Sequence, residues 1–181
     1  MAGQLADGNA LLRQASPSSA NQDRAPRNGE IKFTRIYDLD LVKTVLCHPR
    51  IWPHIGDDYA GDRAGFEPNS DSRIWYVAAS DGELLGLFMF LPRSTVLWEE
   101  HVAMLPHAWG TRAFKAGRRV IPWLFRHSTC RRLIGEVPAS NTLAIRYAEA
   151  CGFARFGVNR QAFMRGGMLE DLILMGISKE A

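Results

Sequence analysis

The sequence predicts an α/β (α+β) domain built on an antiparallel meander of three strands. Two apolar runs, residues 73–79 and 84–91, are separated by a segment that contains Asp81-Gly82. An Asp-Gly pair between apolar runs is a strong signal for a β-hairpin. Residues 95–104 then predict the next strand. The run LLGLFMFL at 84–91 is apolar on both faces, which predicts a central strand covered by other layers on both sides.

A helix is predicted after the first strand of the chain. Asp38 or Asp40 can cap it, because an aspartate oxygen accepts from the free N–H groups of a first turn. Pro49 ends it. Further strands are predicted over 31–37, where the side-chain pattern alternates, and over 153–160 and 169–177. The last two strands are joined by a turn that includes Arg165-Gly166-Gly167.

The segment 98–153 holds the most informative pattern. It predicts a strand that ends at Met104, a turn through Leu105–Trp109 and a basic helix over 110–126. Pro122 lies inside this helix and predicts a kink or an early stop, since proline removes one helical hydrogen bond. Next come a short strand at 132–137, a helix that opens at Ser140 or Asn141, and a stop at Gly152-Phe153.

The N-terminus of the basic helix can hold a pyrophosphate group. The first turn of a helix leaves backbone N–H groups unpaired, and the helix dipole adds partial positive charge there. Four basic residues lie in this part of the helix: Arg112, Lys115, Arg118 and Arg119. This pattern alone does not identify the ligand.

Composition narrows the class of protein. The chain has 181 residues, 46% of them hydrophobic and 23% charged, with a net charge of +3, which fits one globular domain over residues 30–181. Residues 1–29 are rich in small and polar residues and predict a flexible tail. The cysteines Cys47, Cys130 and Cys151 are widely spaced, which predicts reduced thiols in a cytoplasmic protein and no metal site. No membrane span or signal peptide is predicted.

The order of elements in 98–153 resembles the GCN5-related N-acetyltransferase (GNAT) superfamily. The resemblance is carried by the LPxxWG turn, the basic helix, and the helix from Asn141-x-x-Ala144 to Gly152-Phe153. It implies a mixed, mostly antiparallel central sheet with helices on both faces, and acetyl-CoA as co-substrate. The turn and the ending DLILMGI also resemble a subgroup found in bacteriophage genomes, which implies a location in the bacterial cytoplasm.

The resemblance also implies where acetyl-CoA binds. The family pattern Q/R-x-x-G-x-G/A falls on residues 109–114, where Gly110 fits but Arg112 and Phe114 occupy the glycine or alanine positions. Backbone of 103–105 is implied to pair with the pantetheine arm, and Asn141 to contact that arm as well as capping its helix. The implied cofactor-binding residues are Ala103, Met104, Leu105, Trp109, Gly110, Thr111, Arg112, Ala113, Phe114, Lys115 and Asn141.

The strand before the turn offers the candidate catalytic base. An amine with a pKa of about 10 is mostly protonated at neutral pH and must lose a proton before it attacks a thioester. His101 and Glu100 are equal candidates, and Glu99 is the third. By strict alternation Glu99 and His101 share one face with Ala103, while Glu100 shares the other with Met104. A bulge in this strand would shift that pattern.

The family's usual general acid is a tyrosine, and here Ala148 occupies its position. The neighbouring Tyr147 points elsewhere on the helix, at about 100° per residue. Either Tyr147 leans into the site or the thiolate leaves without a side-chain acid, and the favoured interpretation is that Tyr147 is a core residue. The turn-rich segment 50–71 is implied to cover the acceptor site, with Trp52, His54, Asp57 and Asp58 as candidate contacts. A capping loop around one buried tryptophan is the equal alternative.

The resemblance therefore implies an N-acetyltransferase that moves an acetyl group from acetyl-CoA to an amine, on a protein or a small molecule, by direct transfer in a ternary complex. The alternative is a catalytically weak CoA-binding module that acts as a regulator or inhibitor through protein contacts. Nucleic-acid binding through the basic run 112–132 is disfavoured, because no aromatic platform is interleaved with its arginine and lysine residues. The identity of the acceptor and the oligomeric state stay open.

Overall fold

The computed structural model of the chain describes residues 29–180. The predicted flexible tail, residues 1–29, lies outside this range except for Gly29, so the division into a tail and one domain over 30–181 stays a prediction. Within 29–180 no helix is both long enough and apolar enough to cross a membrane.

A seven-stranded sheet forms the framework, in the order β1-β2-β3-β4-β5-β7-β6. Every neighbouring pair is antiparallel except β4 and β5, which are parallel. The strands are β1 Lys32–Ile36, β2 Trp75–Ser80, β3 Leu84–Pro92, β4 Leu97–Met104, β5 Arg132–Pro138, β6 Ala154–Arg165 and β7 Met168–Ser178. The helices are α1 Leu39–Leu46, α2 Trp52–Ile55, α3 Thr111–His127 and α4 Thr142–Ala150.

Helices cover both faces of the sheet, as predicted. On one face, α3 and α4 pack over a core that includes Phe88, Leu124 and Leu133. On the other face, Val42 and Val45 of α1 pack against Leu87 of β3. Because Leu87 and Phe88 are neighbours on β3 and point to opposite faces, this apolar strand contributes to both cores. The prediction of a central strand over 84–91 is confirmed.

The predicted caps begin two of the helices. The side chain of Asp38 accepts from the N–H groups of Asp40 and Leu41, both at 3.0 Å, and so caps α1. The side-chain oxygen of Asn141 accepts from the N–H of Ala144 at 3.1 Å and caps α4. A side-chain cap of this kind contributes about 1 kcal/mol.

The predicted early stop of the basic helix at Pro122 is wrong, because α3 continues to His127. Pro122 lies on the exposed side of the helix, so its ring points into solvent. Val120 and Leu124 on the opposite side are fully buried. Burial of several such side chains, at about 1.5–3 kcal/mol each, offsets the single hydrogen bond that proline removes.

The only parallel pair of the described sheet separates part-way along. β4 pairs with β5 at Leu97, Trp98 and Glu99, opposite residues 132–134. Beyond these three positions β5 pairs with β7 alone, as far as Pro138, and β4 pairs with β3 alone, as far as Met104. A wedge-shaped gap therefore opens in the middle of the sheet between the second halves of β4 and β5.

Candidate active site

A cavity of about 410 Å³ occupies the gap between β4 and β5. The N-terminus of α4 and the segment around α2 close it from opposite faces of the sheet. Among the predicted site residues it is lined by Trp52, His54, Glu99, Glu100, His101, Ala103 and Asn141. All three candidate bases therefore reach one space.

The pairing of β4 with β3 decides which face each candidate base occupies. The register runs from Gly86 opposite Met104 to Pro92 opposite Trp98 without a shift, so no bulge disturbs the alternation. Ala103 belongs to the core under α1, and Met104 to the core under α3 and α4. Glu99 and His101 therefore lie on the α1 face, and Glu100 lies on the α3/α4 face.

On the α1 face, Glu99 and His101 form a paired system. Glu99 is 4% exposed; its carboxylate lies 2.9 Å from Nε2 of His101 and accepts from Nε of Arg93 at 2.6 Å. Burial by itself raises the pKa of Glu99, but the hydrogen bonds and charges of His101 and Arg93 outweigh burial and leave the pKa below its usual value. The carboxylate is therefore ionised and holds the imidazole in place.

His101 is the member of this pair that a substrate can reach. Its side chain is 45% exposed, against 5% for that of Glu99. With Nε2–H donating to Glu99, Nδ1 keeps its lone pair and can accept a proton from a substrate. Among the three candidate bases, His101 is therefore the exposed one, and the buried carboxylate of Glu99 holds its imidazole in place.

On the α3/α4 face, Glu100 has a different environment. Part of its surface faces the cavity, but protein atoms surround the carboxyl group. This burial raises the pKa of Glu100 from 4.5 to about 8. The carboxyl is therefore mostly protonated at neutral pH, in contrast to the ionised Glu99.

Within the gap, β4 presents an unpaired backbone edge. The N–H of Leu105 donates to the carbonyl of Leu85 at 2.8 Å, so by alternation Ala103 also directs its polar groups to β3. Val102 and Met104 direct their backbone N–H and C=O groups away from β3 and into the gap. The carbonyl of Met104 accepts from the indole N–H of Trp109 at 2.7 Å. An extended ligand can therefore pair with Val102 and with the N–H of Met104.

The N-terminus of α3 lies at the end of this edge. Gly110 precedes the helix with a φ of 82°, a conformation that favours glycine. The first bond of the helix runs from the N–H of Phe114 to the carbonyl of Gly110 at 3.1 Å. The N–H groups of Thr111, Arg112 and Ala113 precede this bond and point out of the helix, as an anion site needs.

The basic side chains near this terminus have different partners. Arg112 turns to the β2–β3 hairpin, where it pairs with Asp81 and donates to Glu83 at 2.8 Å. Arg118 donates to the carbonyl of Ala150 at 2.7 Å. Lys115 and Arg119 are exposed. Arg112 therefore fixes the hairpin against α3, while Lys115 and Arg119 can turn to an anion.

Of the four predicted acceptor contacts, two line the cavity and two make structural contacts elsewhere. Trp52 lines the cavity and packs edge-on against Phe66, with ring centroids 5.1 Å apart, and His54 lines the same wall. Asp57 instead caps a short 3-10 turn over 58–60. Asp58 accepts from the N–H groups of Gly166 and Gly167, both at 2.8 Å, 108 and 109 residues later. These two aspartates shape the wall and do not line the cavity.

A family model described as the acetyltransferase (GNAT) family matches residues 36–153, about two thirds of the chain. The chain belongs to this acetyltransferase family. The match covers β4, the N-terminus of α3 and α4, which together surround the gap. Membership confirms the predicted acetyl-CoA-dependent N-acetyltransferase. No curated protein matches the sequence.

Solved structures of two N-acetyltransferases have the same fold. A spermidine N-acetyltransferase from Vibrio cholerae, in complex with CoA and spermine, superposes with a TM-score of 0.68 at 17% identity, over 83% of this chain and 96% of that one. The spermidine/spermine N-acetyltransferase of Vibrio cholerae in complex with manganese ions gives a TM-score of 0.63 at 17% identity, over 83% and 94%. At this identity the likeness concerns the fold, and it confirms the predicted mostly antiparallel sheet with helices.

This GNAT chain differs from the family pattern on α4. Ala148 lines the cavity where the family's tyrosine would stand. The ring of Tyr147 stacks on Phe114, with centroids 5.7 Å apart, and its hydroxyl is buried beside the thiol of Cys151. Burial raises the pKa of Tyr147 well above its usual value. The interpretation of Tyr147 as a core residue agrees with this position.

Sequence reasoning missed several parts of the GNAT site. Arg93, which pairs with Glu99, begins the β3–β4 turn, two residues after Leu91, the cross-strand partner of Glu99. Phe163 and Leu172 line the cavity from β6 and β7. No local pattern in the closing strands indicates that they reach the site.

Proposed function

We propose that this protein transfers the acetyl group of acetyl-CoA directly to an amine, with both substrates bound in the gap between β4 and β5. One observation carries the proposal: the accessible His101, oriented by Glu99, lies in the same 410 Å³ cavity as the unpaired backbone edge of β4. Donor and acceptor then meet without a covalent enzyme intermediate, and the protein contributes orientation and proton transfer.

The donor lies along the α3 side of the gap. Its pyrophosphate sits on the N–H groups of residues 111–113, with Lys115 and Arg119 near enough to add charge. Its pantetheine arm pairs with the backbone of Val102 and Met104 as an added strand. Compared with the predicted stretch 103–105, this assignment moves the pairing to alternate residues, because Ala103 and Leu105 direct their polar groups to β3.

The acceptor lies on the α1 side, where His101 removes its proton. An amine with a pKa of about 10 reaches the site as an ammonium ion, and Nδ1 of His101 accepts the proton. Glu99 then stabilises the imidazolium that forms, since it is ionised and 2.9 Å from Nε2. The aromatic side chains Trp52 and Phe66 surround the carbon atoms of the acceptor.

Release of CoA thiol tests the proposal. The full chain is mixed with acetyl-CoA and one of three amines: spermine, a peptide with a free N-terminus, or a peptide whose only amine is a lysine side chain. We expect at least one amine to raise the rate of thiol release, with an acetyl mass on that amine. Calorimetry with CoA is the parallel measurement.

The two candidate functions give different results in these assays. Acceptor-dependent thiol release supports the transferase. Heat from CoA binding without any thiol release supports the weak CoA-binding module, which Ala148 in the tyrosine position favours. No heat and no release contradict both.

Narrower predictions from the sequence stay predictions. They are the resemblance to a subgroup of bacteriophage genomes, the bacterial cytoplasm as location, and a protein acceptor as against a small molecule. Mass spectrometry of lysate proteins after expression tests the last of these, because acetylation of one protein identifies the acceptor class.

A further inference from the structure

Strand β4 contributes two separate ionisable systems to the cavity, one from each of its faces. Glu99 and His101 belong to the α1 face, where the acceptor is proposed to bind. Glu100 belongs to the α3/α4 face, together with Val102 and Met104. Moving along β4 away from the N-terminus of α3, the side chains on this face come in the order Met104, Val102, Glu100. A pantetheine arm that follows this edge brings its sulfur toward Glu100.

We propose that Glu100 is the general acid of the reaction and donates its proton to the sulfur of CoA as the thioester bond breaks. The inference rests on the acetyl transfer proposed above and adds the residue that completes it. Glu100 would then take the role that the family pattern gives to a tyrosine at the position of Ala148.

Tyr147 cannot take that role in this arrangement. Its ring lines the cavity, but its hydroxyl oxygen is buried. A Cβ placed on Gly117 of α3 would lie 2.3 Å from that oxygen and 2.5 Å from the sulfur of Cys151. The hydroxyl therefore fills a space between α3 and α4. Among the described residues that line the α3/α4 side of the cavity, Glu100 is the one that carries a carboxyl group.

The surroundings of Glu100 keep it protonated. The titratable groups that face it are Tyr147 and Cys151 of α4 and Cys130, which precedes β5. Burial raises the pKa of both cysteines to about 11 and raises that of Tyr147, so all three are neutral near pH 7. Arg118, whose charge acts on Cys151, donates to the carbonyl of Ala150. No charge on these neighbours stabilises a carboxylate at Glu100.

The proton balance of the reaction closes with these groups. His101 takes a proton from the ammonium ion, and the amine nitrogen attacks the thioester carbonyl carbon to form a C–N bond. The C–S bond then breaks, its electron pair moves to sulfur, and the carboxyl proton of Glu100 moves to the same sulfur. The products are an amide and the free thiol. The attacking nitrogen loses its second proton to water as the amide forms. His101 then returns one proton to water and Glu100 takes one from water, so the enzyme is restored and the reaction releases one proton overall.

Titration of bound CoA tests the position of Glu100 without any acceptor. Thiolate absorbance is followed from pH 6 to 10 at saturating CoA in the wild type, Glu100→Gln and Glu149→Gln. Ionised Glu100 opposes a second negative charge on the adjacent sulfur, so we expect the thiol pKa to fall by about one unit in Glu100→Gln. Glu149 is on the exposed side of α4, paired with Arg155 at 2.8 Å, and its variant should keep the wild-type value. Equal thiol pKa values in the wild type and Glu100→Gln would overturn the proposal.

The pH profile of kcat tests the proton transfer itself, with whichever of the three amines gives turnover. In the wild type kcat should fall above pH 8 as Glu100 ionises. In Glu100→Gln this alkaline fall should disappear, and kcat at pH 7 should be at least about tenfold lower than in the wild type. The expected loss is smaller than the roughly 100-fold usual for proton transfer, because a thiolate leaves readily even without a proton. Glu100→Asp should keep the fall. An unchanged alkaline limb in Glu100→Gln, with native circular dichroism, refutes the role, whereas absence of wild-type turnover refutes only the proposed transferase.

Discussion

The burial of Glu100 should make the stability of the protein depend on pH. Its pKa is about 8 in the folded state and 4.5 when unfolded, so the folded state holds this proton more tightly. The contribution of Glu100 to stability is therefore complete below pH 4.5 and is lost as the pH rises through 8. One pKa unit corresponds to about 1.4 kcal/mol, so the whole shift contributes roughly 5 kcal/mol to the free energy of unfolding. The contribution is about 3 kcal/mol if water in the cavity stabilises the carboxylate.

Glu100→Gln removes the titrating group and keeps its shape. We expect its free energy of unfolding, relative to that of the wild type, to increase by about 3–5 kcal/mol between pH 5 and pH 9. Urea unfolding at closely spaced pH values measures this difference, and other titrating groups cancel because both proteins contain them. Glu149→Gln should follow the wild type throughout. If the curves of Glu100→Gln and the wild type stay parallel, Glu100 is ionised in the folded protein and the reasoning fails.

Three further predictions concern other parts of the site. His101→Gln should lower kcat by about 10²–10³-fold while CoA binding measured by calorimetry is retained; an unchanged kcat would exclude His101 as the base. Gly117→Ala should lower the free energy of unfolding by about 1–3 kcal/mol, because the new Cβ meets the hydroxyl of Tyr147, and wild-type urea unfolding would contradict this contact. The N–H groups of Gly167 and Gly166 lower the pKa of Asp58, so its contribution is present above pH 3.8 and is lost in acid. Asp58→Asn should therefore show a smaller drop in melting temperature between pH 6 and pH 3 than the wild type, and an equal drop would count against the contact.

Local patterns in the sequence predicted the elements that surround the site. Alternation along 97–104 separates Glu99 and His101 from Glu100, and the regular register of β4 preserves that separation. The cap at Asn141 and the stop at Gly152 define α4 within a residue or two. These features depend on neighbours close in sequence, so a single sequence contains the information.

Contacts between distant parts of the chain could not be predicted in this way. Arg112 was interpreted as a phosphate ligand, but its partner Asp81 lies 31 residues earlier on a hairpin. Asp58 was interpreted as an acceptor contact, and its partners lie more than 100 residues later. The choice between ligand contact and structural contact depends on which elements meet in space. That information appears only when the sheet order is known.

The contact of Asp58 with the β6–β7 turn has a consequence for the order in which the site is assembled. On the ribosome, β1 to β5 and the N-terminus of α3 are made before this hairpin. We expect a nascent chain to acquire its coenzyme side first, while the acceptor side has no wall from Phe163 and Leu172. Exchange of that hairpin between related proteins would then change acceptor choice and leave the coenzyme side intact.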